Sequence, residues 1–178
     1  MNFIKHNRAA AWCALILIVL GSIPLGAHLS VARLEKSLVG IYEEDSPRYG
    51  SPRADLRRLG DYGEQLCSIA DATLGADSEL RKAVADLRRL AETDPLRQKE
   101  AADALYRDAS LAYNRILNTD GVSDAQRQSA ISYFYEIDST RARLMHHEEY
   151  AAAAKKYNHA VTSFPGLLST RDAVDIYN

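Results

Sequence analysis

The chain has 178 residues, of which 26% are charged, and its formal net charge is -2 at pH 7. This length is typical of a single domain with one hydrophobic core. The nearly neutral balance lacks the excess of lysine and arginine that nucleic-acid binding requires, so neither DNA nor RNA is an expected partner.

The first predicted element is the apolar segment AAAWCALILIVLGSIPLGA at residues 9–27. Its length is close to the roughly 20 residues that a membrane-spanning helix needs. Cleavage after Ala27, as in a secretory signal, is the alternative. Because Leu25 occupies a position where a cleavage site needs a small residue, and amphipathic sequence resumes at once, we favour an uncleaved anchor over residues 1–27.

The charges that flank this segment predict its orientation. Lys5, Arg8 and the amino terminus precede it, whereas Arg33 and Lys36 follow it. The slight excess on the N-terminal side favours a cytoplasmic N-terminus. We therefore expect a single-pass protein of the cell membrane whose following domain lies outside the cytoplasm.

The rest of the chain predicts helices joined by short loops, beginning with a continuation of the membrane helix to Tyr42. Ser51 followed by Pro52 predicts the start of the next helix, and a third stretch follows Asp77. Asp94 followed by Pro95 predicts the start of the fourth. Apolar residues recur at helical spacing in the first four segments: Val31, Leu34, Leu38 and Ile41; Leu56, Leu59, Gly63, Leu66, Ala70 and Leu74; Leu80, Val84, Leu87 and Ala91; Ala102, Leu105, Ala109, Ala112 and Ile116.

The last predicted helix is the longest, beginning at a capping box of Ser123 and Gln126 and ending at Phe164. Its apolar stripe repeats close to every 3.5 residues, the period of helices that pack nearly antiparallel, as in coiled coils. We therefore predict an all-α fold, an antiparallel bundle of about four long helices at residues 28–165, following an N-terminal transmembrane helix. The stripe consists of Tyr133, Ile137, Thr140, Leu144, His147, Tyr150, Ala154, Tyr157, Val161 and Phe164.

The dipeptide Phe164-Pro165 predicts how this helix ends. Proline lacks a backbone donor and restrains the preceding residue, so Phe164 is the last position at which the helix can continue. We expect Phe164 to plug the end of the bundle. Asn158, beside the stripe, is expected to hydrogen-bond to a neighbouring helix and to fix the register. Residues 166–178 form a predicted tail that packs on the bundle and buries Leu167, Leu168, Val174 and Ile176.

Several of these features together resemble the LemA family. They are the single N-terminal membrane segment, RADL at residues 53–56, YAAAAKKYNHAVTSFPGLL at residues 150–168, and Tyr177 near the end. The structural motif of the resemblance comprises Tyr157, Asn158, Phe164 and Pro165. RRLGDYGEQL after RADL and MHHEEY before the final motif depart from the family's pattern, so the chain resembles a divergent member.

The resemblance implies an antiparallel bundle of about four long helices on a membrane anchor in a bacterial cell envelope. The family has no established enzymatic activity to carry over to this chain. Descriptions of the family place the short N-terminus outside the cytoplasm, whereas the flanking charges favour the inside. The topology therefore stays open between the two.

The one cluster with metal-ligand chemistry is MHHEEY at residues 145–150. At most one histidine and one glutamate of this cluster share a helical face. Metal sites in bundles also need carboxylates on the other helices, so we expect no metal or other cofactor. The sequence shows neither a nucleophile elbow nor a glycine-rich phosphate loop. We therefore do not expect an enzyme.

Two functions from different classes remain. The first is a scaffold or interaction module that presents a tyrosine face, Tyr106, Tyr113, Tyr135 and Tyr150, to another envelope protein or to a second copy. The second is a small-ligand binding or sensing domain with a cavity between helices. Small residues would line such a cavity: Ala102, Ala109, Ala112, Ala151 and Ala154.

Overall fold

A computed structural model describes residues 2–47, 50–75 and 78–177. Met1, residues 48–49 and 76–77, and Asn178 lie outside the described part, and so do the side chains of residues 2–9 and 78. The predicted helix start after Asp77 borders the gap at residues 76–77. The side chains of Lys5 and Arg8, on which the predicted orientation depends, also lie outside the described part.

The described residues form six α-helices and one short 3-10 helix, η1, and no β-strand, which confirms the all-α prediction. The helices are α1 Asn2–Glu43, α2 Pro52–Leu74, α3 Ser78–Thr93, α4 Lys99–Asn118, α5 Asp124–Met145 and α6 Glu148–Thr162, followed by η1 Gly166–Ser169. A tail without regular secondary structure at residues 170–177 ends the described chain.

Helix α1 continues without a break from the apolar segment into the folded domain. Pro24 lies inside it, and its part Ala10–Glu43 includes a window long and apolar enough to cross a membrane. The apolar side chains before Ala27 are mostly exposed, whereas Ala27, Val31, Leu38 and Tyr42 are buried. One helix therefore carries both a lipid-like surface and a packed stripe, as the sequence predicts.

The buried stripe of α1 packs against α6. Tyr42 near the end of α1 meets Tyr150 near the start of α6, with ring centroids 6.2 Å apart. Glu35, two turns earlier in α1, forms an ion pair with Arg171, which follows α6 in sequence. The two helices are therefore antiparallel, and the predicted stripe Tyr150, Ala154, Tyr157 and Val161 is buried along its whole length.

Helices α2 to α5 form a four-helix bundle in which α2 contacts α3, α4 and α5. The predicted apolar positions are buried from Leu56 to Ala70 in α2, and all five predicted positions of α4 are buried. Gly63 permits the close approach of α2 to its neighbours, because a Cβ there would lie 2.9 Å from Cγ2 of Val84 and 3.2 Å from Cδ1 of Leu105.

The α1–α6 pair and the α2–α5 bundle meet at a junction where α1 ends, α2 begins, α5 ends and α6 begins. Ser51 caps α2 by accepting a hydrogen bond from the backbone of Ala54, and its hydroxyl donates to the carbonyl of Tyr42 at 3.1 Å. Asp55, a buried residue of the RADL string, accepts a hydrogen bond from Arg143 of α5 at 3.0 Å. The junction is thus held by capping and by a charged pair that links α2 to α5.

Two predicted boundaries are wrong. The long final helix is divided into α5 and α6, because His147 leaves the helical conformation (φ −77°, ψ 76°) and its side chain accepts a hydrogen bond from the backbone of Tyr150 as the N-cap of α6. Helix α4 begins at Lys99 rather than at Pro95, and Gln98 occupies its N-cap position. The predicted starts at Ser51-Pro52 and at the Ser123 capping box are confirmed.

Three expectations for the C-terminal segment are also wrong. Helix α6 ends at Thr162, and Phe164 is 73% exposed instead of plugging the bundle. Leu167 and Leu168 are exposed, whereas Val174 and Ile176 are partly buried against the core. Asn158 forms its hydrogen bonds with the backbone of Val174 in the tail, not with a neighbouring helix.

Candidate functional site

Three tyrosines from distant parts of the chain form a buried cluster at the junction. Tyr150 lies 6.2 Å from Tyr42 and 5.7 Å from Tyr177, measured between ring centroids. All three side chains are buried. Because they come from α1, α6 and the tail, their packing joins α1, the helix that carries the apolar segment, to the C-terminal end of the chain.

Gln98 supplies the polar partner of this cluster. Its side-chain Nε2 donates to the hydroxyl of Tyr42 and to the carbonyl of Pro95, both at 2.8 Å. Its Oε1 and the hydroxyl of Tyr177 are buried without a hydrogen-bond partner. Buried polar atoms are nearly always paired in proteins, so these two mark the cluster as a place where a further polar group would be stabilised.

Burial makes the tyrosines of the cluster hard to ionise. It raises the pKa of Tyr42 to about 12, although the hydrogen bond from Gln98 acts in the opposite direction. The pKa values of Tyr150 and Tyr177 are raised as well, chiefly by burial and further by the neighbouring tyrosines. The phenols therefore remain neutral at physiological pH and act as hydrogen-bonding groups rather than as bases.

The tail closes the cluster from outside. The carboxylate of Asp175 accepts a hydrogen bond from the backbone of Lys99 at 2.7 Å, which caps α4. Its carbonyl accepts one from the hydroxyl of Tyr150 at 3.2 Å, and its own N–H donates to Leu96 at 3.0 Å. Asn158 holds Val174 through two hydrogen bonds of 2.8 Å. The tail thus ties α6 to the start of α4.

The MHHEEY cluster has a structural role at the same junction. Nδ1 of His147 accepts the hydrogen bond that caps α6, and Nε2 lies 3.2 Å from the carbonyl oxygen of Gly50. His146 and Glu148 are exposed, whereas His147 is buried. Within the described ranges no three histidine, cysteine or acidic side chains come together as metal ligands would.

A cleft of about 370 Å³ opens between α2 and α3 beside the cluster. Tyr42 and Gln98 line its inner end, with Leu56 and Leu87 beside them. Charged side chains surround it: Arg53, Arg57, Asp61, Arg88 and Glu92. Arg88 pairs with Asp61 at 3.2 Å, and Arg53 with Glu43 at 3.2 Å. A ligand here would meet charged groups of both signs around the cleft and a neutral polar end.

A second cleft, of about 400 Å³, lies on the other side of Tyr42 between α1 and the tail. The alanines predicted to line a cavity line neither cleft. Ala102, Ala109, Ala112 and Ala154 are buried in the core, and Ala151 is partly buried. These alanines therefore pack within or beside the helix core and allow close approach of the helices.

Three of the four predicted interaction tyrosines lie on one side of the bundle. Tyr106 and Tyr113 of α4 stack on Phe134 of α5, with ring centroids 5.9 and 4.5 Å away, and Tyr135 follows Phe134 in sequence. Tyr106 and Tyr113 are half-buried, and Tyr135 is 68% exposed. Tyr150 does not belong to this group, because it is fully buried in the junction cluster.

The sequence did not predict the junction cluster of Tyr42, Tyr150 and Tyr177. Tyr42 and Gln98 carry no local motif, and only the resemblance that includes Tyr177 singled out a tyrosine near the end of the chain. No model of a known protein family, no curated protein and no solved structure matches this chain. Inference about its function therefore rests on how its side chains pack and which of them are exposed.

Proposed function

We propose that this chain is a membrane-anchored, non-catalytic helical-bundle protein that acts as a scaffold or interaction module. One observation carries the proposal: α1 is a single helix whose first half is apolar and exposed and whose second half is part of the folded core. An exposed apolar surface of this size is stable in a bilayer and not in water. Such a helix would hold the bundle at a fixed distance from the membrane.

We further propose the cell membrane of a bacterium, with the bundle outside the cytoplasm, as the location of this protein. An all-helical domain behind a candidate spanning helix is the architecture that the LemA resemblance implies. The orientation is tested by adding a membrane-impermeant maleimide to intact cells that carry a cysteine in place of Tyr135. Labelling before lysis supports an external bundle, and labelling only after lysis places it inside.

The surface most suited to a protein partner is the α4–α5 face, which we define by exposed Ile131 and Tyr135 of α5 beside half-buried Tyr106 and Tyr113 of α4. Together with Leu111 on another side of α4, Ile131 and Tyr135 are the exposed large apolar side chains of the described chain outside α1 and η1 with its neighbour Phe164. The ring of Phe134, held between Tyr106 and Tyr113, makes the base of this face rigid. Rigid aromatic residues are enriched at protein interfaces, which favours this face over the charged surfaces.

Photocrosslinking in native membranes tests the interaction role. A photoreactive residue in place of Tyr135 is expected to capture one discrete partner, either another envelope protein or a second copy of the chain. The same residue in place of Lys82, exposed on α3, is the matched control and should capture none. The Ile131→Asp variant should abolish capture while the protein stays folded. Equal capture at both positions would argue against the α4–α5 face.

The alternative function is binding or sensing of a small ligand in the cleft between α2 and α3. The buried, unpartnered Oε1 of Gln98 at its inner end favours this candidate. Native mass spectrometry of the purified full-length protein would detect a retained small molecule. The Ala91→Trp variant fills the cleft from an exposed position, so it should lose that mass if the ligand occupies the cleft. Identical spectra without added mass would exclude this function.

A further inference from the structure

The turn that follows α6 exposes an unusual amount of apolar surface. We define it as the C-terminal turn, residues 163–170. Phe164 is 73% exposed, Leu167 62% and Leu168 47%, whereas Gly166 and Ser169 are buried. A Cβ on Gly166 would overlap the carbonyl oxygen of Ala160, so the turn is packed tightly against α6. The fold therefore holds three large apolar side chains outward, which water alone does not favour.

The position of this turn along α1 follows from the antiparallel pairing. Helix α6 rises about 18 Å from Tyr150 to Thr162, at 1.5 Å per residue. The same rise, taken back along α1 from Tyr42, leads to Ser30. The turn thus lies level with the region around Ala27, where the exposed apolar half of α1 begins, and η1 packs against α1. Ala27 and Val31 are buried at this level.

The charges of both helices stop at the same level. Lys155 and Lys156 of α6 lie at the height of Lys36 in α1, and His159 lies at the height of Arg33, by the same pairing. Beyond that level residues 160–170 contain no Asp, Glu, Lys or Arg, and neither do residues 9–32 of α1. Such a boundary is typical of a membrane interface, where charged side chains remain in water and apolar ones enter the lipid.

We propose that the C-terminal turn inserts Phe164, Leu167 and Leu168 into the interface of the same bilayer that α1 spans. This inference rests on the proposed membrane anchorage and extends it. The occupant of the exposed surface is lipid, because the surface continues that of the apolar helix. With a second contact beside α1, the α1–α6 pair stands in a fixed orientation on the membrane, and the clefts and the α4–α5 face remain in water.

Tryptophan fluorescence in the full-length protein tests the inference, because Trp12 is the single tryptophan. The protein is reconstituted into phosphatidylcholine vesicles with bromine atoms near the glycerol end of the acyl chains. Quenching of Trp12 in the unmodified chain reports anchorage. In a Trp12→Phe background, Phe164→Trp reports the C-terminal turn and Tyr135→Trp is the matched control, since both positions are exposed. Leu167→Trp is a second probe in case Phe164→Trp does not fold.

We expect Phe164→Trp to lose a fraction of its emission comparable to that of Trp12, and Tyr135→Trp to lose none. Aqueous acrylamide should act in the reverse order on Phe164→Trp and Tyr135→Trp. The inference would be overturned if bromolipid quenches Trp12 but not the tryptophans at positions 164 and 167, and acrylamide quenches those two. That result would leave the anchorage intact. An unquenched Trp12 would overturn the anchorage and the inference with it.

Discussion

The junction cluster makes a quantitative prediction about alkaline pH. Each buried tyrosine has a pKa above its ordinary value of 10 in the folded state, about 12 for Tyr42 and raised also for Tyr150 and Tyr177. A group whose folded pKa is raised contributes stability that is fully present below the unfolded pKa and is lost as the pH rises through the folded pKa. The sensitive window therefore begins near pH 10 and reaches pH 12 for Tyr42.

The expected loss follows from these shifts. At pH 11 an unfolded tyrosine gains about 1.4 kcal/mol from ionisation that a buried one cannot gain. Three such residues lower the free energy of unfolding by about 4 kcal/mol between pH 8 and pH 11, a large part of the roughly 5–15 kcal/mol of a typical domain. The Tyr42→Phe variant removes one of the three groups, so its loss should be about 1 kcal/mol smaller than that of the wild type.

Urea unfolding of the full-length protein in detergent micelles, followed by circular dichroism at both pH values, measures these differences. Tyr135→Phe, a change to an exposed side chain, is the matched control and should reproduce the wild-type difference. An unfolding free energy that changes by less than about 1 kcal/mol between the two pH values would refute the reasoning. So would an equal loss in the Tyr42→Phe variant and the wild type.

Four further substitutions, two tests and a comparison for each, probe capping and packing through the free energy of unfolding at pH 8. Asp175→Ala should lower the free energy of unfolding by about 1 kcal/mol because it removes the cap of α4. Asp172→Ala removes only an exposed ion pair and should change it by less than about 0.5 kcal/mol. Equal effects of the two substitutions would contradict the capping role. Gly63→Ala should cost about 1–3 kcal/mol by overpacking a site 2.9 Å from a valine methyl group. Gly40→Ala, with open space at its Cβ, should stabilise by about 0.5–1 kcal/mol, and a destabilisation there would contradict the described packing of α1.

Sequence reasoning succeeded where the determining interactions are local. Ser51 with Pro52, and Ser123 with Gln126, place helix starts through contacts within four residues, and both starts are confirmed. The apolar stripes were predictable for the same reason, since a helix fixes which side chains share a face. The unbroken α1 follows from the continuous apolar and amphipathic pattern between residues 9 and 42.

Sequence reasoning failed where a distant residue supplies the deciding contact. Helix α4 starts at Lys99 because Asp175, 76 positions away, caps it there, and no local motif at Asp94-Pro95 indicates this later start. The stripe keeps its period across His147, so it does not reveal the break that this side chain caps. Tyr150 is an amphipathic residue suited to a surface or a core, and only its packing against Tyr42 and Tyr177 decides between them.

The continuity of α1 between the apolar segment and the bundle is tested most directly by a single distance in a bilayer. Spin labels on cysteines replacing Val19 and Lys36, in a Cys13→Ser and Cys67→Ala background, are separated by 17 residues of one helix, or about 25 Å along its axis. We predict one narrow distance distribution near that value in lipid nanodiscs. A broad distribution, or a clearly shorter distance, would show that the helix breaks at the membrane boundary and would contradict a bundle fixed rigidly to its anchor.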